Sequence, residues 1–215
     1  MYHLWVKEYG KPENAVFDPE LESLLRQRAK TELRRRMRGL RNAIPREACA
    51  ARSQRIVERV LASPEFERAL AVGLFWPMLE RNEVDVRPLD AAARAAGKVV
   101  AYPRLSEEGM ALAVAEASSL AERGHGFAEP PEEAPDVSIG PELLVVVPAL
   151  AVDPRGNRIG YGKGFYDWLL ARIAPPAFAL AVAYDFQLVA EIPTGETDRP
   201  VHLVVTDVRS FQPPG

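Results

Sequence analysis

The hydrophobic pattern changes period about a third of the way along the chain. From about Pro19 to Leu40 the residues Leu33, Met37 and Leu40 stand four and three apart, which puts them on one face of a helix. Arg26, Arg28, Lys30, Arg34, Arg35, Arg36, Arg38 and Arg41 crowd the rest of this segment. A second helix is predicted to begin at Pro45, since proline suits a first helical position, with Ile56, Val57, Val60 and Leu61 as its buried face. Ser63-Pro64 reads as the cap and first residue of a short third helix.

Beyond these helices the apolar residues run together. "ALAVGLFW", "KVVAYP", "MALAVAE", "ELLVVVPAL", "AFALAVAY" and "VHLVVTD" are runs of strand length. Between them lie the alanine-rich "VRPLDAAARAAG", which stops at Gly97, and a helical segment from Gly164 to Ile173. Apolar strands without alternation are buried on both faces, and alternation with helices points to a largely parallel sheet covered on both sides. The expected fold is therefore α/β: a three-layer, Rossmann-like α/β/α sandwich. Residues 1–20 form a polar lead, either a solvated arm or, as its aromatics favour, a segment docked through Tyr2, Leu4 and Trp5. Residues 21–215 read as one domain without internal repeats.

Composition narrows the class without naming a function. The 215 residues are 47% hydrophobic and 27% charged, as in soluble globular proteins. A formal net charge of −3 implies neither nucleic acid nor an anionic membrane surface. The arginine-rich helix is the one basic feature, but Glu20, Glu22, Glu32 and Glu47 dilute it and no groove-reading motif accompanies it. No apolar run approaches the roughly 20 residues that span a bilayer. The N-terminus lacks the basic start and apolar stretch of a signal peptide, so a cytoplasmic protein is expected. The lone cysteine, Cys49, excludes a disulfide framework and reads as a packing residue. His125 and His202 belong to no metal-ligand spacing and are read as non-ligands. Glu83 and Asp85, two apart, point oppositely if extended, so one is expected to be functional and the other a surface carboxylate.

The chemistry concentrates in "NRIGYGKGFYDWLL", residues 157–170. It follows the most apolar strand, where α/β proteins place their ligands. Gly160, Gly162 and Gly164 let the main chain approach an anion closely and adopt positive φ. The free amides of the following helix add positive potential, and Arg158 and Lys163 add full charges. Asp167, in the first turn, is placed to hold Mg²⁺ against phosphate oxygens. The segment is neither a Walker A loop nor G-x-G-x-x-G. Its spacing alone leaves two readings open, phosphate binding and a plain glycine turn with surface charges.

The block "RIGYGKGFYD" closely resembles the signature of the 5-formyltetrahydrofolate cyclo-ligase family, also called 5,10-methenyltetrahydrofolate synthetases. Other pieces resemble family elements in order: "KTELR", "NEVDVRPL", "GKVVAYPRL", "GFAEP" and "EIPTGETDRPVHLVVTD". The resemblance runs from about Lys30 to Asp207 and implies a CoA transferase-like variant of the layered fold. It implies that Lys30 and Arg34 contact ATP phosphates, with Arg34 also near the substrate. Arg158, Ile159, Gly160, Tyr161, Gly162, Lys163, Gly164, Phe165 and Tyr166 would wrap the nucleotide, and Tyr161 to Phe165 would also face the folate. Arg158 and Lys163 would be the catalytic cations, and Asp167 and Asp198 the Mg²⁺ ligands. Glu83 would hold the pterin or formyl region, with Trp76 and Met78 packed on the substrate. Trp168 departs from the pattern, since many relatives carry arginine or another polar residue there.

The implied reaction cyclises 5-formyltetrahydrofolate to 5,10-methenyltetrahydrofolate as ATP becomes ADP and phosphate. ATP and the folate are the expected partners, with Mg²⁺ as cofactor, no nucleic acid and no membrane. A monomer is expected, with a dimer left open. A non-catalytic nucleotide or folate sensor on the same fold is the alternative. Turnover separates the two, because a sensor gains stability from ligand without converting it.

Overall fold

The computed structural model describes residues 18–107 and 109–214, so Tyr2, Leu4 and Trp5 and the docking expected of them lie outside the described residues. Helix α1 spans Pro19–Ala43. Asp18 caps it by accepting the Glu20 amide at 2.9 Å, Pro19 takes the first position, and Glu20 and Glu22 complement the helix dipole. Its buried stripe differs from the predicted one: Leu33 is half-buried, Met37 and Arg41 are buried, and Leu40 is 44% exposed. Arg41 holds the place expected of Leu40 because its guanidinium finds a partner inside the fold, the Tyr161 hydroxyl.

Helix α2 covers Arg46–Leu61 and starts one residue later than predicted, because Pro45 has extended ψ (143°) and stands at the cap. Ile56, Val57 and Val60 face inward as expected, joined by Cys49 and Ser53. Helix α3, Pro64–Arg68, is capped by Ser63, whose Oγ accepts the Phe66 amide at 3.2 Å.

Strand β1 (Ala71–Gly73) is followed by helix α4 (Arg87–Ala95), which Gly97 ends at φ +71°. Strands β2 (Val99–Ser106) and β3 (Gly109–Val114) form a hairpin. A small ribbon, β4 (Ala121–Glu122) with β5 (Ala128–Glu129), precedes the central strand β6 (Leu143–Pro148). A second ribbon, β7 (Ala151–Val152) with β8 (Arg158–Ile159), leads into helix α5 (Phe165–Ile173). Strands β9 (Phe178–Val182), β10 (Leu203–Val205) and β11 (Ser210–Phe211) close the chain.

The main sheet has seven strands in the order β11-β10-β9-β6-β1-β2-β3. The five inner strands are parallel, and β3 and β11 pair antiparallel at the two edges. "MALAVAE" is thus a strand, but an antiparallel one. Alternate residues of β6 explain its unbroken apolar run. Leu144 and Val146 join Ile56, Val60 and Tyr184 in one core, while Leu143, Val145 and Val147 join Leu169 and Leu170 in the other. Burying each such side chain is worth about 1.5–3 kcal/mol, so the helices are held to both faces and the three-layer α/β sandwich follows.

Only three residues of "ALAVGLFW" sit in the ladder. The chain then leaves the sheet, which carries Trp76 and Met78 out to a cleft at the carboxyl edge. No described helix is long and apolar enough to cross a membrane.

Candidate active site

The cleft encloses about 1050 Å³, at the upper end of the range for single-ligand pockets. It gathers residues from distant parts of the chain: Lys30 and Arg34 from α1, Trp76 to Glu83 beyond β1, the glycine loop, and Asp198. A separate depression of about 360 Å³ near Asn42 to Arg46 carries none of the predicted site residues.

The loop is set from below by Asp153. Its buried carboxylate accepts the amides of Arg155 (2.9 Å), Asn157 (3.0 Å) and Ile192 (3.0 Å), which closes the turn between β7 and β8. The chain then passes through Gly162 at φ +100° and Gly164 at φ +72° before entering α5. Gly160 does not share this left-handed conformation; its carbonyl instead accepts Arg34 Nε at 3.1 Å. Gly164 caps α5 without a side chain, which leaves the positive end of the helix turned to the cleft.

The cations are built in. Arg158 is buried on β8, gives one N–H to the Arg199 carbonyl at 2.7 Å and pairs with Asp167 Oδ1 at 3.1 Å. Burial presses its pKa downward and the Asp167 carboxylate counters this. Its other terminal nitrogen has no hydrogen-bond partner among the described residues. Lys30 grips both oxygens of Asp198, at 2.7 and 2.5 Å. Lys163 reaches across the cleft to the His125 carbonyl at 3.0 Å and lies 5.5 Å from the Phe165 ring centre.

The other end of the cleft is apolar with one buried acid. Trp76 stands edge-on to Tyr102, with ring centres 6.2 Å apart. Glu83, 4% exposed, accepts the Met78 amide at 2.8 Å and the Tyr161 hydroxyl at 2.7 Å. Burial raises its carboxyl pKa, although these two donors and Arg41 and Arg81 oppose the rise. Asp85 takes the surface role, capping the Arg87 amide at 3.1 Å and pairing with its guanidinium. Ile159 lines the cleft but also packs with Met37 and Leu150 in a satellite core, and Tyr166 packs against both main cores.

The predicted site residues thus border one cleft. No three His, Cys, Asp or Glu side chains converge as a metal cluster among the described residues. Asp167 fits a Mg²⁺ shared with phosphate: Oδ1 takes Arg158 and the Arg199 amide, and Oδ2 has no hydrogen bond among the described residues. Both oxygens of Asp198 are engaged, by Lys30 and the Gly195 amide.

Sequence reading missed Arg41, Arg81, Phe127 and His125 as cleft residues. Arg41 carried a signal, since it extends the Leu33–Met37 spacing by four. Trp168 packs its indole on Gly109, where an added Cβ would come within 2.4 Å of it. His202 serves structure, its Nδ1 accepting the Ala179 amide at 2.9 Å, and Cys49 is buried in the core, as expected of a packing residue.

Fold and site together define the class: an α/β protein with its ligand cleft at the carboxyl edge of a parallel sheet. The profile of the 5-formyltetrahydrofolate cyclo-ligase family matches residues 26–207, and the chain belongs to that family. A mouse 5-formyltetrahydrofolate cyclo-ligase is 28% identical over 193 residues, covering 82% of this chain and 90% of the relative. The Escherichia coli K12 enzyme of the same name is 29% identical over 186 residues, covering 82% and 99%. The solution structure of Aquifex aeolicus 5,10-methenyltetrahydrofolate synthetase superposes with a TM-score of 0.73 at 29% identity, covering 85% of this chain and 92% of that one.

Proposed function

We propose that this protein cyclises 5-formyltetrahydrofolate to 5,10-methenyltetrahydrofolate at the expense of ATP. The observation that carries the reading is the two-ended cleft. Lys30, Arg34, Arg158 and Lys163 stand around the glycine loop at one end, and Glu83, Trp76 and Met78 form the other. Relatives named for this activity match most of the chain.

In this reading the triphosphate lies against Gly160 to Gly164 and the start of α5, with Lys163, Arg158, Lys30 and Arg34 neutralising it. The pterin lies on Trp76, Met78 and Tyr161, with Glu83 accepting its N–H groups. Asp167 would hold Mg²⁺, which supplies charge neutralisation between phosphate oxygens. Asp198 becomes available to it only where Lys30 exchanges the carboxylate for phosphate. A formamide carbon is a poor electrophile. Moving the γ-phosphoryl group onto the formyl oxygen makes that oxygen a leaving group, and N10 then closes the ring. Phosphoryl transfer needs positioning and charge neutralisation more than a protein nucleophile, which is what this cleft offers.

The test is the absorbance of the methenyl product together with phosphate release. Both should appear only when Mg-ATP and 5-formyltetrahydrofolate are present together, with one phosphate per product. Stabilisation by either ligand without product would instead identify a sensor.

A further inference from the structure

Glu129 is 1% exposed, and a carboxylate is costly to bury unless partnered. Its Oε2 accepts the Leu105 amide at 2.7 Å, and its Oε1 lies 2.5 Å from Nδ1 of His125. The His125 side chain is 42% exposed and borders the cleft. Two left-handed glycines hold this histidine, Gly124 at φ +95° and Gly126 at φ +83°. The Glu122 carboxylate gathers their amides at 2.8 and 2.6 Å. The His125 carbonyl is also the acceptor of the Lys163 ammonium, so the imidazole belongs to the rim of the glycine loop. Charged groups around it are Glu129 beneath, Glu122 and Arg123 on its own loop, and Lys163 opposite, with the Phe127 ring centre 6.4 Å away. A carboxylate that accepts Nδ1–H fixes the tautomer and leaves the Nε2 lone pair for chemistry. Nε2 has no hydrogen bond among the described residues.

We infer that His125, oriented by Glu129, carries the proton of the ring closure between N10 of the folate and the departing phosphate. The inference rests on the cyclisation reading above. As the N10 lone pair forms the bond to the activated carbon, the N10–H bond breaks. Its electron pair stays on nitrogen, and its proton passes to Nε2. The carbon–oxygen bond then breaks with its pair on oxygen, and the leaving phosphate takes the proton from Nε2 as hydrogen phosphate. The imidazole ends as it began, and the cationic N5–C–N10 bridge needs no oxidant or further reactant. The tie between Lys163 and His125 sets the base beside the group assigned to phosphate.

The experiment is single-turnover formation of methenyl product against pH, with saturating Mg-ATP and folate, in the wild type, His125→Asn and His125→Ala. The wild-type rate should fall toward acid, as it does for reactions that need a general base. His125→Asn should lose about 10²-fold in rate, the scale of general base catalysis, with KM for ATP unchanged and the acid limb gone. Free imidazole should restore part of the rate in His125→Ala. Wild-type rates with an unchanged pH profile in His125→Asn overturn the inference. So does a loss that imidazole does not rescue while the acid limb persists, since that marks a structural role. Absence of product from the wild type overturns the cyclisation reading itself.

Discussion

The Tyr161 hydroxyl sits between Glu83 and Arg41: it donates to Glu83 Oε1 at 2.7 Å and accepts from the Arg41 guanidinium at 2.5 Å. The three residues come from the glycine loop, the segment after β1 and the last turn of α1. Glu83 and Arg41 are 4% and 3% exposed, so a buried acid and a buried base meet through a phenol. The Arg81 guanidinium covers the same ring at 5.4 Å from its centre. This junction fixes the loop against the end of the cleft that Trp76 and Met78 line.

Removing the shared hydroxyl should expose that dependence. Tyr161→Phe leaves both buried charges short of a partner, and each unsatisfied buried group costs about 1–3 kcal/mol. Urea unfolding should show a loss of about 2–6 kcal/mol for the two groups together, and KM for the folate should rise more than KM for ATP. A fully stable variant with unchanged KM values would mean the hydroxyl is dispensable.

Glu83 itself should make stability depend on pH. Its carboxyl is raised by burial, so the folded state binds a proton more tightly than the unfolded chain. Relative to Glu83→Gln, that stabilisation is fully present below the ordinary glutamate value of about 4.3 and is lost as pH rises through the raised value. Melting curves across pH 4–8 should show wild type losing ground steadily to Glu83→Gln. Parallel curves would contradict the raised value.

Much of this was legible in the sequence because local chemistry dictated it. The double-sided apolar run of β6 required helices on both faces, and the Ser63-Pro64 and Gly97 signals set helix ends without tertiary help. The glycine loop was legible through its unusual spacing and its family resemblance. What pairwise reading along the chain could not supply was partnership across it. Arg41 lies 120 positions from Tyr161 and in the sequence is one more of the arginines that crowd α1, of which Arg35, paired with Glu32 at 2.5 Å, does stay at the surface. His125 reads as a non-ligand because it belongs to no spacing such as H-x-x-x-H, yet the carboxylate four positions on, Glu129 on the next short strand, is its partner.

Asp198 should titrate in the opposite sense to Glu83. Burial pushes its carboxyl up, but Lys30, the Gly195 amide and Arg158 outweigh that and hold it below the ordinary aspartate range. Its stabilising contribution is therefore present above about pH 3.9 and is lost as pH falls through the lowered value. The stability advantage of wild type over Asp198→Asn should be constant above that pH and shrink toward zero in acid, as the carboxylate takes up its proton. The difference between the two should shrink in a Lys30→Met background, where the Gly195 amide and Arg158 remain, and an undiminished difference there would dissociate the shift from Lys30.

Gly162 and Gly160 offer a contrast within one loop. Gly162 is held at φ +100°, where an L-residue is strained, and its added Cβ would sit 3.3 Å from the Arg34 guanidinium carbon. Gly160 has no positive φ, and nothing lies within 4 Å of the corresponding point. Gly162→Ala should therefore cost roughly 1–2 kcal/mol in urea unfolding through backbone strain. It should also push Arg34 from the Gly160 carbonyl and raise KM for ATP. Gly160→Ala should unfold like wild type or slightly later, because it only restricts the unfolded chain. Equal stabilities for the two variants would show that the left-handed turn at Gly162 does not hold the loop.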